Sequence, residues 1–373
     1  MTTVGAVCNA IEAFAPTSLA ESWDNVGLLV GSESWSADRV LLTIDLTESV
    51  LEEALAQRVG LVIAYHPLIF TPLRRLTDSP GKERIALGAA RAGIAVYCPH
   101  TALDACVGGV NDWLTEGLGT GDVRALKPLE SLPASEECKV VTFCPVDAVD
   151  RLRRALSTVG AGKIGNYELC SFEIHGEGTY LGNEASNPLI GRRGVLERIR
   201  EVRLEMVCPS SALGLAVATL RQFHPYEAPP IEIYQLRARP ERAVGLGRRV
   251  MLDRPTAIHD LVARTKAHLG ISAVVLAHAR HTPTEIRLVA VCAGSGGSLV
   301  DTAIAQGAEL FLTGEMGHHD VLKAQERGCT VILAGHTNTE RGFLPRLVSR
   351  LAPSFEGVEF ILAATDREPL RVV

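Results

Sequence analysis

One short phrase occurs twice in this chain, His-Thr-x-x-acid: His100-Thr101-Ala102-Leu103-Asp104 and His336-Thr337-Asn338-Thr339-Glu340. Both copies have the same lead-in. A helix-like stretch closes on glycine, at Gly93 and at Gly328, and an apolar run follows over 94–98 and 330–334. Glycine supplies the left-handed residue that a helix C-terminus favours, and an apolar run without alternation predicts a strand buried on both faces. Each histidine is therefore expected where a buried strand ends, which in open α/β sheets is where loops converge over a ligand crevice.

Two imidazoles and two carboxylates at matching strand ends are four potential ligands for borderline cations, and a carboxylate can bridge two ions. A third imidazole, His66, follows the predicted strand 61–64 in Tyr65-His66-Pro67. A lone histidine there would be read as capping the turn before Pro67; its two companions at equivalent positions favour ligation. Glu340 has a competing role, because Thr337-Asn338-Thr339-Glu340 fits a capping box with Thr337 as N-cap. Asp104 stands at the same offset but is too short to be a good box partner, so ligation accounts for both copies with one cause. His66, His100, Asp104, His336 and Glu340 exceed what one tetrahedral ion with an open position needs. Two divalent ions sharing a carboxylate are expected, and with them a metal-assisted hydrolase. Mixed nitrogen and oxygen donors suit zinc, iron, manganese or cobalt. Glu315, His318 and His319, in Gly314-Glu315-Met316-Gly317-His318-His319-Asp320, are candidate catalytic residues that shuttle protons at the rim; hydrated surface positions are the other reading.

The two outer thirds share one order: strand, helix, glycine, strand, polar cluster, helix, glycine, strand, His-Thr-x-x-acid. Strands alternating with helices of about ten residues predict parallel pairing through right-handed crossovers. The middle differs. Strand 139–144, helix 147–159 and strand 167–174 are echoed by 202–208, 210–223 and 231–236, with Asp147 and Ser210 as candidate N-caps. Two such units predict a split β-α-β, ferredoxin-like domain. The fold class expected is α/β: a duplicated three-layer composite domain, in halves 1–128 and 241–373, interrupted by an inserted ferredoxin-like α+β domain at 129–240. Between the inserted copies Gly176-Glu177-Gly178-Thr179-Tyr180 reads as exposed loop, 235–249 as a linker, and His224-Pro225-Tyr226-Glu227 as a structured turn with an effector surface as the alternative. Asp24-Asn25 reads as turn chemistry before a strand, with Trp23 packed beneath it and a direct site role for Asp24 as the minority reading. The turn 293–298 could cradle an anion on its amides, although it matches no nucleotide-binding fingerprint.

A formal net charge of −6 leaves no polybasic footprint and argues against general nucleic-acid binding. Nine scattered cysteines without a C-x-x-C pair read as reduced thiols of a cytoplasmic protein. No apolar stretch is long enough for a membrane span, and no secretion signal is visible.

The stretches Glu21-Ser22-Trp23-Asp24-Asn25-Val26-Gly27-Leu28-Leu29, Tyr65-His66-Pro67-Leu68-Ile69-Phe70, His100 to Asp104 with Gly109-Val110-Asn111-Asp112-Trp113-Leu114, Gly314 to Asp320 and His336 to Glu340 resemble the Nif-three-like dinuclear metal-centre hexameric family. Its members are often labelled type-two homologues of GTP cyclohydrolase. The resemblance covers both outer thirds, and the middle resembles the insertion of longer members. It implies a toroidal homohexamer, a trimer of dimers, with two metals facing an inner cavity and a small nucleotide-like ligand. The ligands it carries over are His66, Asp104, His336 and Glu340. Many members have a second histidine where this chain has Tyr65, so either His100 replaces it or that ion is weakly held.

Overall fold

The structure, a computed structural model, describes residues 2–281 and 283–370. They fall into two compact units: residues up to Leu129 together with those from Glu241 onward, and Glu130–Pro240. The first unit holds two sheets. One runs in the order Gly27–Val30, Ala95–Cys98, Leu61–Ala64, Arg39–Thr43, Glu359–Leu362. The other runs Val275–Ala277, Thr330–Leu333, Leu310–Glu315, Glu285–Ser295, Arg239–Ala257, Gly121–Ser131. In each, an antiparallel edge strand is followed by three parallel strands in reverse chain order.

Burial explains why these strands carry apolar residues without alternation. Val62, Ala64 and Val96 pack under the helices Glu48–Ala56 and Lys82–Ala92, while Leu61, Ile63 and Tyr97 face a core shared with Val289, Val291, Leu310, Leu312 and Ile332 of the second sheet. On that sheet's far side Ala290, Phe311 and Val331 pack with Val300, Ala303 and Ala324. Local signals hold at the ends. Thr47 accepts the Val50 amide at the start of its helix, and Gly93 closes Lys82–Ala92 at φ 71°.

The second sheet also corrects an expectation. Residues 239–249, part of the expected linker, belong to the strand Arg239–Ala257, which pairs with Glu285–Ser295 through Arg248 opposite Val291 and Val250 opposite Val289. Arg248, Val250 and Leu252 alternate inward, and the buried arginine disguises the period of two.

The Glu130–Pro240 unit follows the order strand, helix, strand, strand, helix, strand. Its sheet runs Phe172–Leu181, Leu196–Cys208, Cys138–Pro145, Ile231–Gln235, every pair antiparallel. The helices Val149–Thr158 and Leu213–Phe223 bury Leu152, Leu156, Ala216 and Leu220 against Val140, Cys144, Val202, Leu204 and Met206. Two local expectations fail here. Gly176 to Tyr180 is strand rather than loop, paired with 197–201. Asp147 and Ser210 cap nothing, because each sits in a 3-10 turn that leads into its helix. All nine cysteines are free. Among the described residues no helix is long and apolar enough to cross a membrane.

Candidate metal centre

The short helix His100–Ala105 begins on the histidine itself, so His100 and Asp104, four residues apart, share a helical face. His336 and Glu340 flank the start of Asn338–Arg341 at the same spacing. These four residues and His66 line one cavity of about 570 Å³ in the first unit, together with Trp23, Asp45, Phe70, Lys82, Lys127, Cys292 and Gly294. Within it the donor atoms of His66, His336 and Glu340 lie within 4.8 Å of one another, a cluster that could hold a metal ion. His100 lies outside that cluster, its ring 5.3 Å from the His66 ring. Asp104 also lies outside it and accepts a hydrogen bond from the Tyr65 hydroxyl.

Each of the three imidazoles is held at Nδ1 by a carboxylate. Asp45 Oδ1 lies 3.0 Å from His66 Nδ1, Asp24 Oδ1 2.9 Å from His100 Nδ1, and Glu315 Oε1 2.9 Å from His336 Nδ1. Nδ1–H donates, which leaves Nε2 as the unprotonated nitrogen in each neutral ring. This carboxylate–histidine pairing is how proteins fix the tautomer and raise the basicity of a metal-binding imidazole. Asp24 also accepts the Thr101 amide at 3.2 Å and hydroxyl at 2.5 Å. Burial would raise the Asp24 and Asp45 carboxyls, but the hydrogen bonds and charges of His100 and His66 outweigh it and hold both below the usual range.

The residues present fit a cation. His66 Nε2 and Glu340 Oε2 are buried, 3.3 Å apart, and neither has a hydrogen bond. Two orphaned lone-pair atoms in one cluster are costly unless something bridges them. Burial disfavours a charged His66, yet Asp45 and Glu340 outweigh it and raise its pKa to about 10. Burial, reinforced by Glu340, lifts Asp104 to about 6 against the pull of His100, Tyr65 and His66. A proton is thus held where a cation would neutralise the same acids. Gly294, at φ +61°, completes the cradle: a Cβ there would lie 2.5 Å from Glu340 Oε1 and 3.0 Å from His336 Nε2.

Glu340 does not close a capping box. The Thr337 hydroxyl donates to Glu368 Oε2 at 2.5 Å, no side chain caps Asn338–Arg341, and Glu340 is 3% exposed. The glycine-rich turn does not offer its amides freely either. Those of Ala293, Gly294 and Gly296 already bond Asn111 Oδ1, Thr339 Oγ1 and the Glu315 carbonyl. Trp23 is 56% exposed and stands edge-on to the His100 ring at 6.1 Å, so it flanks the site rather than packing beneath a strand. His318 and His319 are exposed, meet edge to face with ring centroids 5.5 Å apart and do not line the cavity. Sequence reasoning missed Asp45, although it lies two residues beyond the strand Arg39–Thr43 just as His66 lies two beyond Leu61–Ala64. It gave Asp24 the smaller chance of a role, and only proximity in space reveals its pairing.

Residues 2–369 match the profile of Duf34/NIF3, NGG1p interacting factor 3. NIF3-like protein 1 of Mus musculus is 37% identical over 99% of this chain and 92% of its own length. A GTP cyclohydrolase 1 type 2 homolog of Halalkalibacterium halodurans is 32% identical over 98% of both. Among solved structures, a Bacillus cereus protein related to NIF3 superposes with a TM-score of 0.67 at 30% identity, covering 100% of this chain and 99% of that one. Staphylococcus aureus protein SA1388 gives 0.73 at 26%, with the same coverage. With both histidine phrases inside a match that spans nearly the whole sequence, the chain belongs to the NIF3 family.

Proposed function

We propose that the chain is a dinuclear metal protein that works as a metal-dependent hydrolase of the GTP-cyclohydrolase type on a nucleotide-like substrate. The observation that carries this reading is the set of three carboxylate-anchored imidazoles whose Nε2 atoms are left for the cavity that Asp104 and Glu340 share. His66, His336 and Glu340 would hold one divalent ion; His100 and Asp104 would serve the second, with Tyr65 in place of a further imidazole. Bound there, zinc, iron, manganese or cobalt would polarise a carbonyl, imine or phosphoryl oxygen and acidify water.

The chain's own residues do the rest. Asp24, Asp45 and Glu315 hold the rings in one tautomer. Glu315, exposed and bonded to His336, can exchange protons with solvent, with His318 and His319 as further candidates. Trp23 and Phe70, 5.9 Å apart at the cavity wall, offer faces to a flat base. Lys82 and Lys127, the cavity's only lysines or arginines among the described residues, suit an anionic group. Around this centre we place a duplicated three-layer composite domain, halves 1–128 and 241–373, an inserted ferredoxin-like domain at 129–240, and a homohexamer built as a trimer of dimers. Light scattering on the eluting protein tests the hexamer.

A second reading makes the protein a metal-dependent scaffold whose inserted domain senses a ligand; a separate cavity in the Glu130–Pro240 unit favours it. One experiment separates the two. Protein with its metals counted is incubated with GTP, other nucleotides and phosphoesters, beside an Asp104→Ala, Glu340→Ala variant. Turnover lost in the variant supports the hydrolase; a metallated protein inert across the panel sinks it and leaves the scaffold.

A further inference from the structure

The Glu130–Pro240 unit contains a cavity of about 310 Å³, at the lower end of the range for small-molecule sites. One wall is the hairpin of Phe172–Leu181 and Leu196–Cys208, a second is the loop around Ser186 to Ile190, and the third is the turn that follows His224. Pro188, Leu189, Ile190 and Ile199 give it an apolar body. Its polar lining has one sign: Glu201 and Glu227 contribute carboxylates, Tyr180 and Tyr226 phenols, and no lysine, arginine or histidine lines it among the described residues.

The acids are placed with care. Tyr226 donates its hydroxyl to Glu201 Oε1 at 2.8 Å, and the Asn187 amide donates to Glu227 Oε1 at 2.8 Å. The second oxygen of each has no hydrogen-bond partner among the described residues. Glu201 passes so close to Gly178 that a Cβ there would lie 2.0 Å from Oε2. The Tyr180 hydroxyl is buried without a partner. A buried hydroxyl normally finds one, so its isolation beside a cavity points to an absent polar group. The turn His224-Pro225-Tyr226-Glu227 gains a purpose here. His224 bonds the Phe143 carbonyl at 3.1 Å through Nε2 and accepts the Tyr226 amide at 3.1 Å on Nδ1, which fixes the turn that presents both Tyr226 and Glu227.

We propose that this cavity binds a small organic cation of the amidinium or guanidinium type carried on an apolar body, with Glu201 as its counter-ion. A planar cation with several N–H donors matches a carboxylate, gains from the adjacent aromatic faces and buries its body against Ile190 and Ile199. Anions are excluded by the two carboxylates. The site stands or falls independently of the metal centre.

The test uses the full chain and titrates benzamidine and agmatine by calorimetry, with benzoate as the anionic control. At least one cation should bind at millimolar concentration or below, and benzoate should not. Glu201→Gln keeps the shape and removes the charge, and should weaken binding about tenfold or more. Ile190→Trp fills the cavity from an exposed loop position, leaves Glu201 intact and should abolish binding. It covers the case in which the Gln variant fails to fold. If neither cation binds, if the Gln variant binds as tightly as the parent, or if benzoate binds equally well, the assignment is wrong.

Discussion

Arg248 is the residue whose loss should be felt furthest from its own position. It is fully buried on the strand Arg239–Ala257, and its guanidinium meets Asp112 with Nε at 2.6 Å from Oδ1 and Nη2 at 3.1 Å from Oδ2. The remaining donors reach the carbonyls of Ala105, Cys106, Gly245 and Gly247 at 3.3, 2.7, 2.7 and 2.9 Å. Those of Ala105 and Cys106 belong to the end of the helix that carries His100 and Asp104. Arg248→Met keeps most of the volume and removes every donor. Deleting one partner of a buried pair costs about 3–5 kcal/mol. Asp112 stays 24% exposed and keeps the Gly108 amide at 2.7 Å, so water relieves part of its stranded charge. The lower end, about 3 kcal/mol, is expected. Adding Asp112→Asn removes that charge, so the double variant should be less unstable than the sum of the singles by about 1–3 kcal/mol. Urea unfolding followed by tryptophan fluorescence is the assay, because Trp23, Trp35 and Trp113 all precede residue 130 and report on the first unit alone. An Arg248→Met variant within about 1 kcal/mol of the parent would refute the reasoning, since no desolvated pair behaves so.

Three further outcomes are expected. Asp45→Ala leaves the His66 donor set intact but frees its ring, and should lower zinc affinity about 10–100-fold, read by competition with a chelating dye; unchanged affinity would remove Asp45 from the site. Gly294→Ala and Gly93→Ala share backbone strain, at φ +61° and +71°, but only the former meets Glu340 and His336, the latter finding open space. Both should lose about 1 kcal/mol or more, and Gly294→Ala alone should lose bound metal as measured by elemental analysis. In the Glu130–Pro240 unit, burial depresses the His224 pKa below 6.5. The folded state therefore prefers the neutral ring, and the stability this group contributes is present above the unfolded pKa and is lost as pH falls through the folded one. Helix content followed during urea unfolding at pH 7 and pH 5 should show that loss, and His224→Gln should flatten it.

Much of this architecture can be read from the chain because burial and local chemistry agree. Leu61–Ala64 and Ala95–Cys98 are apolar throughout since both of their faces are covered, and Gly93 marks the turn before the second of them. Reading fails where a polar residue does a buried job. Arg248 holds an inward position in a strand, so its segment resembles a linker until Asp112 and four carbonyls are seen around it. In the site, the repeated phrase brings His336 and Glu340 beside His66. Asp24, 76 residues before His100, carries no spacing signal that could announce the pair. Glu340 fits a capping box by pattern, and only its burial beside two imidazoles separates the two roles.

Glu359–Leu362 pairs with Arg39–Thr43, and the Asp366 carboxylate then accepts the Ile44 amide at 2.7 Å and meets Arg341 at 2.6 Å. Arg39 and Glu359 are 320 residues apart, so a ribosome working at about 5–20 residues per second needs on the order of tens of seconds to deliver the second partner. Throughout that interval the nascent sheet keeps an open edge, a target for chaperones and for mispairing. His336 and Glu340 emerge only shortly before that edge is closed. The cluster of His66, His336 and Glu340 is therefore completed only once residue 340 has been made, long after His66, His100 and Asp104 have left the ribosome.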